Sequence, residues 1–272
     1  MPPNDLDRAI MAVARSRAAM PDFYRELTKG ELWFLIRRHP ELEGEVLELK
    51  EGSPLPFAML EDAQGVVVPI YSSEARLEEG LKKGRVPPRT YSAAIMPAVQ
   101  MLEILGKAEL RAVINKFCAT GAITIPPNLM RDLADGSALR PLPPGERLHD
   151  PLQKLDPADY PTNLIQAAFE FMRRHRNFRA AWIFRPGAGE PEPEPVNGHR
   201  YQLLFLMDPR DERVFHDLNL VAQASLGKTD QVRLGLLDEA DTAFIARAFR
   251  EAQPFYVAAD YHPPQMPDGV RG

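Results

Sequence analysis

Pro56 to Ser73 reads PFAMLEDAQGVVVPIYSS: a strand, a tight turn, a second strand and the first residues of a helix. Phe57, Met59 and the run from Val66 to Ile70 are apolar and partly β-branched, the composition of strands packed on at least one face. Asp62, Ala63, Gln64 and Gly65 between them carry turn chemistry, with Gly65 free to take a positive φ. Pro69 lacks an N–H and is expected near a strand end or on a sheet edge. Ser72 or Ser73 then caps a helix from Glu74 to Lys83, with Glu74 at the positive end of its dipole. That helix turns Ala75, Leu77 and Leu81 inward and Arg76, Glu78, Glu79, Lys82 and Lys83 outward. A serine pair after a strand also suits a nucleophile or a phosphate contact, although capping is the commoner use.

Upstream, Asn4 caps a first helix whose Leu6, Ile10 and Val13 recur at i, i+4 and i+7. Pro21 is expected to block its continuation, and Asp22 to cap a short helix through Leu27 that Gly30 closes. Leu32 to Ile36 is a short apolar strand. Arg37, Arg38 and His39 after it are more in keeping with solvent than with an anion site. The charged stretch from Glu41 to Pro54 reads as an irregular connection or a weak extra hairpin.

Downstream, Tyr91 to Met96 is a strand and Pro97 opens a helix with Val99, Leu102 and Leu105 on its apolar side. Leu110 to Ile114 is the next strand, running into Asn115, Lys116, Phe117, Cys118, Ala119, Thr120 and Gly121. Ala122 to Ile125 and a helix opened by Pro126 and Pro127 follow. Alternating helices and short apolar strands give an α/β or α+β pattern on one mixed sheet, and no G-x-G-x-x-G follows a strand.

From Ser137 to Pro161 prolines accumulate and apolar periodicity stops, as in a semi-rigid linker. A second unit then reads α-β-β-α-β-α-β: a helix from Thr162, strands FRAAWIF (178–184) and YQLLFLM (201–207), a helix Asp211–Ser225, an alternating strand Gln231–Leu237, a helix Asp238–Glu251 and a short strand at 255–257. Between its first two strands lies an acidic Glu-Pro loop that favours extended structure. The expected organisation is an N-terminal domain over 1–136, a linker over 137–161, a C-terminal domain over 162–260 and a disordered tail over 261–272. The fold class is α+β, two small domains each with a mixed sheet flanked by helices.

With 272 residues the chain has room for both domains, and 44% hydrophobic and 26% charged residues are ordinary for a globular protein. A net charge of −5 argues against a nucleic-acid partner. A single cysteine rules out an intrachain disulfide. No apolar run approaches the ~20 residues of a membrane helix, and the start of the chain lacks a signal-peptide pattern, so a cytoplasmic location is expected.

The helix leading into FYRELTKGELWFL, then PFAMLEDAQGVVVPIYSSEARLEEGL, then AVINKFCATGAITIPPNLMRDLADG resemble the enhanced-serine-sensitivity, or SseB-like, bacterial protein family. The second unit, with FRAAWIF and YQLLFLM, resembles that family's C-terminal domain. The resemblance departs at Asn115 and Lys116, where the family typically has Asn-Pro. It implies a two-domain α+β protein with no established enzyme activity and no catalytic residues to carry over.

No motif fixes a reaction. Cys118 has no histidine at a diagnostic spacing and reads as a small residue near the core. The six histidines lack metal-site spacing. Asp208, Asp211, Glu212 and His216 form the nearest approach to a carboxylate–imidazole cluster, and read as an acidic helix start. Phe178, Trp182, Phe184, Tyr201 and Phe205 line two neighbouring strands and suit a core. The segment Arg173 to Arg179, RRHRNFR, mixes basic and aromatic residues; a solvated helix end is the commoner reading, and docking an acidic partner is the other. The expected function is a non-enzymatic protein-interaction or regulatory module without cofactor or metal, which a homo-oligomer would also suit. The alternative is an amino-acid-like small-molecule sensor with an interdomain cleft near Tyr71, Asn115 and Gly121; a hydrolase using Cys118 or His216 stands third. Candidate ligand or partner residues are Tyr71, Ser72, Asn115, Gly121, Arg173, Arg174, Arg176 and Trp182.

Overall fold

A computed structural model describes residues 3–37, 57–62, 65–85, 91–140, 153–155, 157–185, 200–227, 230–237 and 242–263. The readings of Arg38, His39, the 41–54 connection, the turn centre at Ala63 and Gln64, the Glu-Pro loop and the last residues of the tail lie outside these. The chain divides into two compact units, Met1–Arg15 with Asp22–Leu139, and Ser16–Pro21 with Arg140–Gly272. Each is α+β around a mixed sheet. Among the described residues no helix is long and apolar enough to cross a membrane.

In the first unit α1 (Asp5–Arg15) and α2 (Met20–Lys29) lead into β1 (Glu31–Arg37). Then come β2 (Leu60–Asp62), β3 (Gly65–Tyr71), α3 (Glu74–Lys83), β4 (Tyr91–Pro97), α4 (Ala98–Lys107), β5 (Arg111–Ile114), β6 (Ile123–Ile125) and α5 (Pro127–Ala134). The sheet order is β4-β1-β3-β5-β6, with β2 also on β3. β3 and β5 run parallel and the other pairs antiparallel. α1 buries Leu6, Ile10 and Val13 on one face, and the Asn4 side chain accepts the Asp7 N–H at its start. Pro21 does not stop a helix. It lies in the first turn of α2, where an absent N–H removes no intrahelical bond. In α4 the buried side is Ala98, Met101, Leu102 and Leu105, while Val99 is exposed. The stripe follows i, i+3, i+4 and i+7 from Ala98, so Val99 falls outside it.

Pro69 is not on an edge, because β3 lies between β1 and β5. On one side β3 pairs with β2 through Gly65–Val67, and with β1 at Ile70 and Tyr71. Val68 and Pro69 fall in the interval between those partners. The Leu35 carbonyl, next along β1, accepts the Ala58 N–H at 2.8 Å instead. A residue without an N–H fits where the strand changes partners.

The second unit holds β7 (Gln153–Lys154), α6 (Thr162–Met172), β8 (Phe178–Arg185), β9 (Arg200–Met207), α7 (Glu212–Ser225), β10 (Gln231–Leu237), α8 (Thr242–Glu251) and β11 (Tyr256–Val257). The sheet order is β10-β9-β8-β11, with β7 also on β8. β9 and β10 are parallel. Part of the proline-rich stretch is structural, since β7 pairs with β8 and Leu155 is buried in the core. Ala18 packs in that same core, and Ser16 donates a hydrogen bond to Glu170.

The sheet separates two cores. Phe178, Ala181, Ile183, Tyr201, Leu203 and Phe205 face α6 and α7 residues such as Phe171, Phe215 and Leu218. Ala180, Trp182, Phe184, Leu204 and Leu206 face Ile245 and Ala248 of α8 and Ala252 just after it. Strict alternation would put Phe178 with Ala180. The register shift between them moves Phe178 to the other face, as a bulge does. The aromatic set on β8 and β9 is therefore divided between two cores.

Candidate functional site

The carboxyl ends of β3 and β5 deliver the most elaborate polar cluster among the described residues of the first unit. Parallel strands end on the same side, and the chain leaves β3 through Tyr71 and Ser72 and β5 through Asn115. The Asn115 N–H donates to the Ile70 carbonyl at 2.9 Å, which prolongs the parallel ladder by one residue. Asn115 then turns into the left-handed region at φ 52°, a conformation that asparagine tolerates better than most residues. Its side chain is fully buried. Oδ1 accepts the Ser72 N–H at 2.9 Å, and Nδ2 donates to the Ser72 hydroxyl at 2.9 Å, to Asp7 at 3.2 Å and to Thr120 at 3.3 Å.

Asp7 comes from α1 and is 2% exposed. Its Oδ1 accepts the Ser72 hydroxyl at 2.5 Å and its Oδ2 the Arg76 Nε–H at 2.9 Å. Arg76 also donates to Glu79 at 2.6 Å. Glu79 accepts Lys83 at 2.6 Å and the Ala119 N–H at 2.9 Å. The Lys83 hydrogen bond, with those from Ala119 and Arg76, holds the Glu79 carboxyl down at about 2. Ser73, not Ser72, caps α3, accepting the Arg76 N–H at 3.3 Å. The cluster thus ties α1, α3 and the loop after β5 to two strand ends, and meets the rule that buried charge is paired and bonded.

Chemically this is a clamp. The Ser72 hydroxyl is buried, and its nearest carboxylate is already committed to Arg76, so neither access nor a free base serves a nucleophile. The Cys118 Sγ donates to the Arg76 carbonyl at 3.2 Å. Burial, with Glu79 nearby, pushes its thiol up to about 11, so it stays protonated near neutral pH and lacks thiolate reactivity. Burial likewise pushes the Tyr71 phenol up to about 12. Among the described residues no group of three or more His, Cys, Asp or Glu is placed to hold a metal.

A different chemistry stands at the C-terminal end of α6. Phe169 is 38% exposed. The Phe169 and Tyr256 rings meet edge-on at 5.7 Å, and the Arg173 guanidinium lies 5.9 Å from the Phe169 centroid, a cation–π distance. Arg173, Arg174 and Arg176 are exposed. Among the described residues none of the three has an ion-pair partner. Hydrogen bonds from Ser16 and Gln166, with Arg174 and Arg173 nearby, hold the Glu170 carboxyl below its ordinary value, and Asp260 and Asp208 accept Arg179.

Two family models match in succession: the SseB protein N-terminal domain over residues 6–131 and the SseB protein C-terminal domain over residues 150–257. The chain belongs to the SseB family. No curated protein and no solved structure gives a match.

In this SseB-family chain the residues singled out from sequence fall in three places. Tyr71, Ser72 and Asn115 are buried in the first unit, and Gly121 follows in the loop at φ 93°. Trp182 is fully buried against Phe249, with ring centroids 4.9 Å apart, so it acts in packing. Arg173, Arg174 and Arg176 share the exposed end of α6. Of the acidic group near α7, Asp211 caps the helix by accepting the Arg213 and Val214 N–H groups, and His216 is buried. Sequence reasoning missed Asp7, Phe117 and Phe169. Asp7 had a readable signal: it lies three residues before Ile10, inside the apolar stripe of α1, where a charge needs a buried partner.

Proposed function

We propose that this SseB-family protein is a non-enzymatic interaction module whose second unit docks an acidic protein partner at the end of α6. The observation that supports this reading is the exposed Phe169 ring with the Arg173 guanidinium against it and the exposed Arg174 and Arg176 just beyond, none of the three in an ion pair among the described residues. Aromatic and arginine side chains are the commonest anchors of protein interfaces. An exposed guanidinium beside an aromatic ring suits a carboxylate next to an apolar group. The committed Ser72 and the protonated Cys118 give the alternative of covalent catalysis no support.

Photo-cross-linking tests this. With a photoreactive phenylalanine analogue in place of Phe169, a discrete protein adduct is expected in host cells, and Arg174→Glu is expected to abolish it. An adduct pattern no different from that obtained at exposed Val99 would remove the α6 end as the docking face.

A further inference from the structure

The loop after β5 displays a second aromatic side chain by an unusual route. Phe117 takes φ 67°, two residues after Asn115 at φ 52°. Left-handed backbone is costly for a residue with a Cβ and persists where surrounding structure enforces it. Here the enforcement comes from the buried Asn115 side chain on one side of Phe117 and the Ala119 N–H bond to Glu79 on the other. Nevertheless the strained residue does not bury its ring, which is 45% exposed. One edge of the ring rests on Gly84, where a Cβ would stand 2.9 Å from Cδ2.

One cation lies over the ring, and others follow along α3 beyond Gly84. Lys116 Nζ lies 5.6 Å from its centroid. Arg85 follows Gly84 and, with Lys82 and Lys83, lines an open hollow of about 620 Å³ along α3, together with Ala75, Glu78 and Glu79. Lys83 and Glu79 satisfy one another. Among the described residues Lys82, Arg85 and Lys116 have no carboxylate partner. Only Glu78 of the hollow's lining offsets them, in a protein whose net charge is −5.

We infer that the Phe117 loop and the exposed face of α3 form a separate docking surface for an acidic peptide segment with an apolar anchor. The anchor covers the Phe117 ring, and the flanking carboxylates meet Lys82, Arg85 and Lys116. Local positive charge on an acidic protein supplies the complementarity, and the fixed loop presents the aromatic with little ordering cost on binding. The surface is distinct from the α6 end and does not depend on it.

The test is fluorescence anisotropy with a labelled short peptide, a central leucine flanked by glutamates, against full-length protein carrying Phe169→Ser and Arg174→Glu to silence the α6 end. Saturable binding that weakens with salt is expected. Phe117→Ser and, separately, the double change Lys82→Glu with Arg85→Glu are each expected to weaken it by roughly tenfold or more. Phe117→Tyr should retain it, which separates loss of the ring from loss of fold, as do unchanged urea midpoints. Binding indifferent to both changes, no binding of the glutamate peptide, or preferential binding of a single-stranded oligonucleotide would each overturn the assignment. None of these outcomes bears on cross-linking at Phe169.

Discussion

Asn115→Ala is expected to destabilise the first unit by about 4 kcal/mol, combining the desolvation cost of buried partners left unbonded with that of a left-handed backbone. The change strands the buried Ser72 N–H and removes the amide that donates to the Ser72 hydroxyl, Asp7 and Thr120. Alanine must also adopt φ 52° without a side chain able to bond locally. Asn115→Gly separates the two contributions. It relieves the backbone but restores no hydrogen bond, so it should recover roughly 1 kcal/mol relative to alanine. The chain has two tryptophans, Trp33 in the first unit and Trp182 in the second. In a Trp182→Phe background, the urea transition of Trp33 fluorescence reports the first unit. A shift of less than about 1 kcal/mol for Asn115→Ala, the value for an ordinary hydrogen bond, would show that the clamp is not what holds the strand ends.

Trp182→Ala is expected to cost the second unit about 3–5 kcal/mol, the range for emptying a buried aromatic site. The indole is wholly enclosed between the β8–β9 face and α8, edge-on to Phe249 and packed with Leu204, Leu206 and Ile245. Trp182→Phe should cost much less than its loss of volume suggests. The indole N–H is buried and meets no acceptor among the described residues, so phenylalanine removes a donor whose burial costs about 1–3 kcal/mol while keeping a ring against Phe249. Urea unfolding followed by far-ultraviolet circular dichroism checks both. Equal losses for the two substitutions would mean that the indole N–H has a bond that the packing does not explain.

These two residues show how far the sequence carried. The alternation of short apolar strands with amphipathic helices, the α1 stripe and the positive φ of Gly65 act within a few residues, so they were legible. The division of the β8–β9 aromatics between two cores depends on a register shift at Phe178, which no local pattern announces. Pro69 in an interior strand depends on β2 and β1 meeting β3 at different points. The clamp joins positions more than 60 residues apart in the chain, Asp7 with Ser72 and Asn115, through a parallel pairing that had to be known first. The basic character at Arg173, Arg174 and Arg176 was plain from composition. The ring beside it was not, because Phe169 also fits a helical apolar pattern. Phe117 gave no signal, since its exposure follows from a backbone conformation.

The proposed docking role rests on exposed aromatic side chains beside cations: Phe169 with Arg173, and Phe117 with Lys116. Native mass spectrometry of the protein purified gently from its own host tests that claim most directly. The account predicts a stoichiometric protein partner that is absent from the Phe169→Ser, Arg174→Glu variant. A small molecule held at full occupancy, with no protein bound and no difference between wild type and variant, would contradict it.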